Sequence, residues 1–206
     1  MQIGNNKKDR LCLKAYIMLR RIKDVSSILG SGKMKRGLFV GRFQPFHNGH
    51  AEAIKKVAKE VDELIIVIGS PQHSHELENP FTVGERILMT RSALDEMGLD
   101  PRKYYVIPVP DVQMHATWVS TVTASTPRFE TVYSNDPLTR RLFKEARFRV
   151  EGTPFYHREM YSATEIRKRI LNGQSWEELV PKSVARLIKE IDGEERLRDL
   201  AKRDVV

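Results

Sequence analysis

Two stretches of this chain combine side chains that bind phosphate groups. The first reads GRFQPFHNGH, from Gly41 to His50, and follows a short apolar run typical of a β-strand. Its imidazoles are three residues apart, so His47 and His50 face the same side of a helix that starts here. Arg42 and the free N–H groups of the helix start complete an anion site suited to phosphate. Gly49 lets a ligand approach the backbone closely, and we assign Gly41 to the same phosphate-binding loop.

A metal site is the alternative for the two histidines. Zinc usually requires three or four ligands, and the sequence offers no third candidate near His47 and His50. We therefore expect no metal ion held by protein ligands alone. A second pair, His73 and His75, belongs to no motif, and we interpret both as ordinary loop residues.

The second stretch, residues 161–169, reads YSATEIRKR and has the pattern of a helix start. Ser162 and Glu165 form a capping-box pair, in which each side chain binds the backbone N–H of the other residue. Ser162, Thr164 and Arg167 then surround the exposed N–H groups of the first turn, which suits a polyphosphate. Taken alone, the stretch is equally typical of a capped basic surface helix. Its combination with the first stretch favours a shared phosphate site.

The hydrophobic pattern predicts a scaffold that positions both stretches. Short runs rich in β-branched and aromatic residues predict strands at 37–40, 64–68, 104–109, 131–133 and 148–150. Helical patterns lie between them, at 49–60, 82–97, 115–125 and 137–145, and the tail from about Ser162 is helical only. This alternation predicts an α/β fold, a Rossmann-like parallel sheet flanked by helices. Ligands of such sheets bind beyond the carboxyl ends of the strands, where the first stretch lies.

The composition is that of a globular protein from a reducing compartment. Apolar residues make up 40% of the chain, and none of their runs approaches the roughly 20 residues of a membrane helix. The single cysteine, Cys12, excludes a disulfide framework within one chain. We therefore expect a cytoplasmic protein that does not bind membranes.

The net charge of +8 is concentrated near the N-terminus. Residues 1–33 hold eight Lys or Arg and two Asp, which leaves 27 basic and 25 acidic side chains in residues 34–206. We interpret residues 1–33 as a basic extension, either disordered or a start-site artefact, with a targeting peptide as the alternative. Residues 34–206 are predicted to form a single domain. A nucleic-acid-binding module is the alternative function of another class, and the nearly neutral body argues against it.

Together these motifs resemble the nucleotidylyltransferase superfamily, whose paired signatures are H-x-G-H after the first strand and S-x-T-x-x-R at a late helix. More narrowly, GRFQPFHNGH, NPFTVGER at 79–86, Asp111 with Trp118, and YSATEIRKR resemble the archaeal-type nicotinamide-nucleotide adenylyltransferases. The resemblance covers the chain from Met34 onward. It implies a sheet of the nucleotidylyltransferase type with a C-terminal helical tail.

The resemblance implies a reaction of ATP with nicotinamide mononucleotide that yields NAD and pyrophosphate. The mononucleotide phosphate attacks in line, without a covalent intermediate, and Mg²⁺ or another divalent cation is carried on the ATP phosphates. His50 and His47 then contact the α-phosphate, while Arg42 and Arg167 hold the triphosphate and the departing pyrophosphate. Hydrogen bonds from Ser162 and Thr164 complete the phosphate site.

The resemblance also implies the mononucleotide-binding residues. Trp118 stacks on the nicotinamide ring, Asp111 bonds the base or ribose, and His115 and Arg86 lie nearby. Core packing is the alternative role for Trp118. An ion pair with a nearby glutamate such as Glu85 is the alternative for Arg86.

The chain departs from the family pattern at His115, where the pattern has Asn, and at Glu78, where it has a basic residue. Both departures bear on substrate affinity. Another acceptor, such as flavin mononucleotide, phosphopantetheine or a cytidylyl acceptor, is the alternative within the superfamily. The resemblance further implies a homo-oligomer, specifically a hexamer.

Overall fold

The computed structural model describes residues 34–153 and 161–202. The interpretation of residues 1–33 as a basic extension falls outside them. The assignment of residues 34–206 to a single domain stays a prediction.

The described residues form one sheet of five parallel strands, in the order β3-β2-β1-β4-β5. The strands are β1 (Arg36–Gly41), β2 (Glu63–Gly69), β3 (Tyr104–Val109), β4 (Thr131–Tyr133) and β5 (Arg149–Glu151). Helices occupy every crossover: α1 (Asn48–Val57), α2 (Val83–Glu96), α3 (Trp118–Ser125) and α4 (Pro137–Glu145). The predicted α/β fold with a parallel sheet is therefore confirmed.

Local capping explains where these helices begin and end. At the start of α2, the Thr82 N–H donates to Glu85 Oε2 at 2.8 Å and the Glu85 N–H to Thr82 Oγ1 at 3.3 Å, which completes the capping box. At the end of α4, the Phe148 N–H donates to the Phe143 carbonyl at 3.0 Å. Phe148 is thus part of a helix cap, and β5 begins one residue later than the pattern predicts.

The tail is helical, as predicted. It contains α5 (Ala163–Leu171), α6 (Lys182–Glu190), whose N-cap is Pro181, and α7 (Gly193–Ala201). Helix α6 packs on α2, and α7 packs on α5. The Arg196 guanidinium also binds both carboxylate oxygens of Glu85 at 2.8 Å, which joins the tail to the start of α2.

Both faces of the sheet are buried under an apolar layer. Neighbouring residues of a strand point to opposite faces, so they belong to different layers. Leu38 belongs to the apolar layer that contains Trp118 and Phe143, and Phe39 belongs to the layer that contains Ile188. Two layers on one sheet explain why the strand sequences are almost continuously apolar.

The strand order reverses at β1. The chain leaves β1 for β2 on one side, while β4 pairs with β1 on the other. Loops that leave the carboxyl ends of β1 and β4 therefore diverge, and they open a crevice above the sheet, where ligands of such folds bind.

Candidate active site

Two neighbouring cavities open at the carboxyl ends of the strands. The histidine cavity, of about 290 Å³, is lined by His47, His50 and residues that follow β4 and precede α5. The tryptophan cavity, of about 390 Å³, is lined by Trp118 and residues that follow β1, β2 and β3. Val40 and Asp136 line both cavities. Molecules bound in the two cavities would therefore meet above the end of β1.

The two histidines cap α1 reciprocally. His47 is the N-cap residue, and its Nδ1 accepts from the His50 N–H at 3.3 Å. The His50 Nδ1 accepts from the His47 N–H at the same distance. The rings stack with their centroids 3.6 Å apart, which places both imidazoles on one side of the helix, as predicted.

Burial sets the charge of both rings, and these bonds set which nitrogen carries the proton. Burial lowers the pKa of His47 to about 4. Burial, reinforced by the neighbouring His47, lowers the pKa of His50 well below its ordinary value. Both rings are therefore neutral at pH 7, and because each Nδ1 is an acceptor, each proton lies on Nε2. The pair can offer a ligand two Nε2–H donors without a positive charge.

The loop before α1 is built around aromatic rings. Phe43 adopts a left-handed φ of 52°, and its ring centroid lies 4.7 Å from that of His50. A β-carbon on Gly41 would come within 2.8 Å of the Phe43 ring. A β-carbon on Gly49 would lie 3.1 Å from the His47 ring and 3.2 Å from the Tyr161 side chain. Both glycines line a cavity, and they also make room for these protein side chains. Close approach of a ligand to Gly49 stays a prediction.

The second phosphate-binding stretch lies beside the first. Ser162, together with Tyr161 and Ala163, lines the histidine cavity. Ser162 Oγ accepts from the Glu165 N–H at 3.1 Å, which is half of the predicted capping box. The Glu165 carboxylate instead contacts Arg169 at 3.0 Å. The stretches are more than a hundred residues apart in sequence, and the structure brings them to one cavity.

Arg167 and Thr164 lie outside the lining of both cavities. One Arg167 NH group donates to the Gln44 carbonyl at 2.8 Å and the other to Thr164 Oγ1 at 3.4 Å. Burial and the nearby Arg42 lower the pKa of Arg167, and Glu78 opposes that shift. In this conformation Arg167 joins α5 to the loop before α1, which sequence reasoning did not predict.

Three of the residues predicted to bind the mononucleotide lie in the tryptophan cavity together with Arg42. They are Trp118, Asp111 and His115. Trp118 is 9% exposed and packs edge-on against Phe143 with a centroid distance of 5.6 Å, so it is both a core residue and part of the cavity wall.

Arg86 is not placed to contact a ligand, which corrects the prediction. It is fully buried, and its guanidinium donates to five backbone carbonyls: those of Arg42, Gly69, Ser70, His73 and Thr82. Among the described residues, Arg86 does not form the suggested ion pair with Glu85, because Glu85 pairs with Arg196.

Sequence reasoning missed the residues that follow β4. Ser134, Asn135 and Asp136 line the histidine cavity with Thr153. The Asn135 amide donates to the Thr153 carbonyl at 2.7 Å and accepts from its N–H at 3.0 Å, which joins the ends of β4 and β5. Their position directly after a predicted strand was the available signal. Gln72, which donates to Asp111 Oδ2 at 3.0 Å, carried no such signal.

Within residues 34–153 and 161–202, no group of three or more His, Cys, Asp or Glu could hold a metal ion. No helix in the same ranges is long and apolar enough to span a membrane.

The low pKa of His47 predicts that acid destabilises the fold. Between its ordinary pKa of 6.5 and about 4, the unfolded chain binds a proton that the folded chain does not. Above pH 6.5 this residue does not lower the free energy of unfolding. As the pH drops towards 4, protonation of His47 in the unfolded chain lowers that free energy by about 3 kcal/mol. Urea unfolding at a series of pH values measures the effect. His47→Asn, whose side-chain oxygen can still cap α1 but does not titrate, should show a shallower dependence; an unchanged slope would contradict this explanation.

Known proteins resemble this chain over the residues that form the two cavities. The model of the cytidylyltransferase-like family matches residues 38–169. A nicotinamide-nucleotide adenylyltransferase from Archaeoglobus fulgidus is 54% identical over 173 residues, covering 82% of this chain and 99% of that protein. One from Pyrococcus furiosus is 54% identical over 169 residues, covering 82% of this chain and 90% of that protein.

A solved structure has a similar fold. It is a bifunctional NMN adenylyltransferase/ADP ribose pyrophosphatase from Francisella tularensis, complexed with AMP and a manganese ion. The TM-score is 0.67 at 26% identity, and the match covers 82% of this chain and 52% of that one. This chain therefore spans about half the length of the bifunctional protein.

Proposed function

Because this chain belongs to the cytidylyltransferase-like family and, within it, to the nicotinamide-nucleotide adenylyltransferases, we propose that it converts ATP and nicotinamide mononucleotide into NAD and pyrophosphate. One observation carries the proposal. The histidine cavity and the tryptophan cavity share Val40 and Asp136, so that two nucleotides can meet at the end of β1. An adenylyl transfer needs this arrangement, since the acceptor phosphate must reach the α-phosphorus of ATP.

We propose that ATP places its phosphates in the histidine cavity. The 5′-phosphate of the mononucleotide attacks the α-phosphorus in line, and the bond to the pyrophosphate oxygen breaks without a covalent enzyme intermediate. Catalysis then depends on positioning and on stabilising the negative charge of the transition state. The Nε2–H groups of His50 and His47 supply two oriented donors to the α-phosphate oxygens. Ser162 adds the N-terminal end of α5, whose dipole favours the phosphate tail.

The arginines have separate proposed roles. Arg42 lines the tryptophan cavity and is exposed, which suits contact with phosphates between the two nucleotides. Arg167 and Thr164 stand at the first turns of α5, and contact with the pyrophosphate requires that Arg167 use the N–H groups not bound to Gln44.

The mononucleotide is proposed to occupy the tryptophan cavity. Trp118 lines this cavity and is proposed to stack on the nicotinamide ring. The Asp111 carboxylate, already held by Gln72, can accept a hydrogen bond from the carboxamide or the ribose. His115 stands on the same wall, where the family pattern has Asn.

A divalent cation is proposed to enter with ATP as part of the substrate. We propose that phosphate oxygens and water are its main ligands. The AMP and manganese ion of the Francisella protein support a divalent cation, and magnesium is our proposal for this chain.

We also propose a cytoplasmic homo-oligomer, a hexamer by family resemblance. The single cysteine of the chain supports a reducing compartment. Analytical ultracentrifugation of the full chain measures the assembly.

An acceptor panel tests the proposed reaction. We expect the highest kcat/KM with ATP and nicotinamide mononucleotide, measured as NAD formed in a coupled assay with alcohol dehydrogenase. Flavin mononucleotide and phosphopantetheine, tested by pyrophosphate release, should react at least about a hundredfold more slowly, because neither reproduces the contacts of a carboxamide-bearing ring. A higher kcat/KM with either compound, or with CTP in place of ATP, would overturn the proposal.

A further inference from the structure

Arg86 is a buried charge whose hydrogen-bond acceptors are neutral, while Asp111 attracts it from beyond ion-pair distance. Among the residues that the structure describes, its guanidinium contacts backbone carbonyls and no carboxylate lies within ion-pair distance. Burial lowers its pKa to about 10, so it stays protonated at neutral pH and keeps all five donors. Removing a charge from water is costly, and the hydrogen bonds to these carbonyls offset that cost. The location of the carbonyls therefore indicates what the buried charge holds in place.

Three of the carbonyls that Arg86 binds belong to residues of one cavity wall. The NH1 group donates to the Gly69 carbonyl at 2.9 Å and to the Arg42 carbonyl at 3.0 Å. The NH2 group donates to the Ser70 carbonyl at 3.0 Å. All three acceptor residues line the tryptophan cavity, and none of them lines the histidine cavity.

One of these acceptors, Ser70, and the residue that follows another have a strained backbone. Ser70 has a left-handed φ of 51°, and Phe43, directly after Arg42, has a φ of 52°. Residues other than glycine hold this conformation only where their surroundings impose it. Arg86 fixes the carbonyl of Ser70 and the carbonyl next to Phe43, and it thereby joins the loops after β1 and β2 with one rigid fork.

The histidine cavity is held by other contacts. The Gln44 side chain exchanges two hydrogen bonds of 3.0 Å with the backbone of Phe81, and the Gln44 carbonyl accepts from Arg167. The rings of His47 and His50 are fixed by their own reciprocal caps. Loss of Arg86 therefore leaves the hydrogen bonds that hold His47, His50 and Gln44 in place.

We propose that Arg86 is a positioning residue for the mononucleotide, which sets the wall of the tryptophan cavity by holding the carbonyls of Arg42, Gly69 and Ser70. The inference rests on the proposed function, since it takes the mononucleotide to occupy that cavity. It assigns Arg86 a role without any contact to the substrate.

The test is the substitution Arg86→Lys, which keeps the charge but replaces the five-donor fork by a single ammonium group. We expect KM for nicotinamide mononucleotide to rise about tenfold or more, since several charged hydrogen bonds are lost. KM for ATP should stay within about twofold. Steady-state kinetics with each substrate varied in turn give both constants. A purely structural role would lower Tm without separating the two KM values.

A matched control is available at the same helix start. Arg196 binds Glu85 and the Pro80 carbonyl and lines neither cavity. Arg196→Lys makes the same chemical change, and both KM values should stay as in the parent protein. The proposal would be overturned if the ratio of KM for the mononucleotide to KM for ATP were the same in the Arg86→Lys and Arg196→Lys enzymes.

A second variant separates positioning from folding. Glycine adopts the left-handed conformation of Ser70 without strain, so Ser70→Gly should recover part of the mononucleotide affinity lost in Arg86→Lys. The double-mutant cycle measures this coupling, and additive effects would contradict it. If Arg86→Lys does not fold, Ser70→Gly should restore soluble enzyme, and failure to do so counts against the proposal. Failure of the proposed function itself would appear in the parent enzyme, as absent turnover of the mononucleotide.

Discussion

Replacement of His50 by asparagine is expected to lower kcat about 10²–10³-fold, the usual effect of removing one oriented donor from a transition-state site. The asparagine Oδ1 can take the place of the histidine Nδ1 and accept from the His47 N–H, so the cap of α1 is kept. What disappears is the Nε2–H donor that we assign to the α-phosphate. Some packing against Phe43 and Phe46 is also lost, and Tm should fall by only a few degrees.

The matched variant is His50→Gln, whose amide can reach the position of Nε2. Its kcat should lie between those of the parent enzyme and His50→Asn. Single-turnover measurements with saturating substrates separate chemistry from binding, and thermal unfolding verifies the fold. Turnover of His50→Asn within a factor of three of the parent would remove His50 from the proposed mechanism.

Replacement of Trp118 by alanine is expected to act on both stability and mononucleotide binding. Trp118 is 9% exposed and packs against Phe143, so its truncation should lower the free energy of unfolding by about 3–5 kcal/mol. The same change removes the ring on which the nicotinamide is proposed to stack, and KM for the mononucleotide should rise by at least about tenfold.

The neighbouring core residue provides the control. Phe143→Ala removes a fully buried ring from the same apolar layer, and Phe143 lies outside the lining of both cavities. It should lower stability by a similar amount, with little effect on KM for the mononucleotide. Chemical denaturation and steady-state kinetics on both variants give the comparison. If KM for the mononucleotide were the same in the two variants, Trp118 would be a core residue without a role in binding.

The regular elements could be predicted because their causes are local. The strands at 104–109 and 131–133 and the helix at 137–145 agree with the observed bounds, since their apolar patterns and the proline at the start of α4 act within a few residues. The capping box of α2 involves only Thr82 and Glu85 and was predicted on the same basis.

The prediction of interactions was less successful where a side chain had several possible partners. Glu165 was expected to complete a capping box, but Arg169, one turn later, takes its carboxylate. Gly49 also makes room for the His47 ring and Tyr161, contacts that the sequence did not indicate. Spacing along the chain shows which groups can meet, and the competition between them depends on their relative positions in three dimensions.

The amino-acid sequence by itself determined the α/β fold and the residue types that can bind phosphate, because hydrophobic periodicity and helix capping act over a few residues. Only the tertiary structure decided how those residues are used. The neutrality of His47 and His50 follows from burial, and their tautomer follows from their reciprocal caps, which no single-residue property predicts. Arg86 binds the carbonyls of loops as far as 44 residues away in the chain, so its role depends on how the strands are ordered in the sheet.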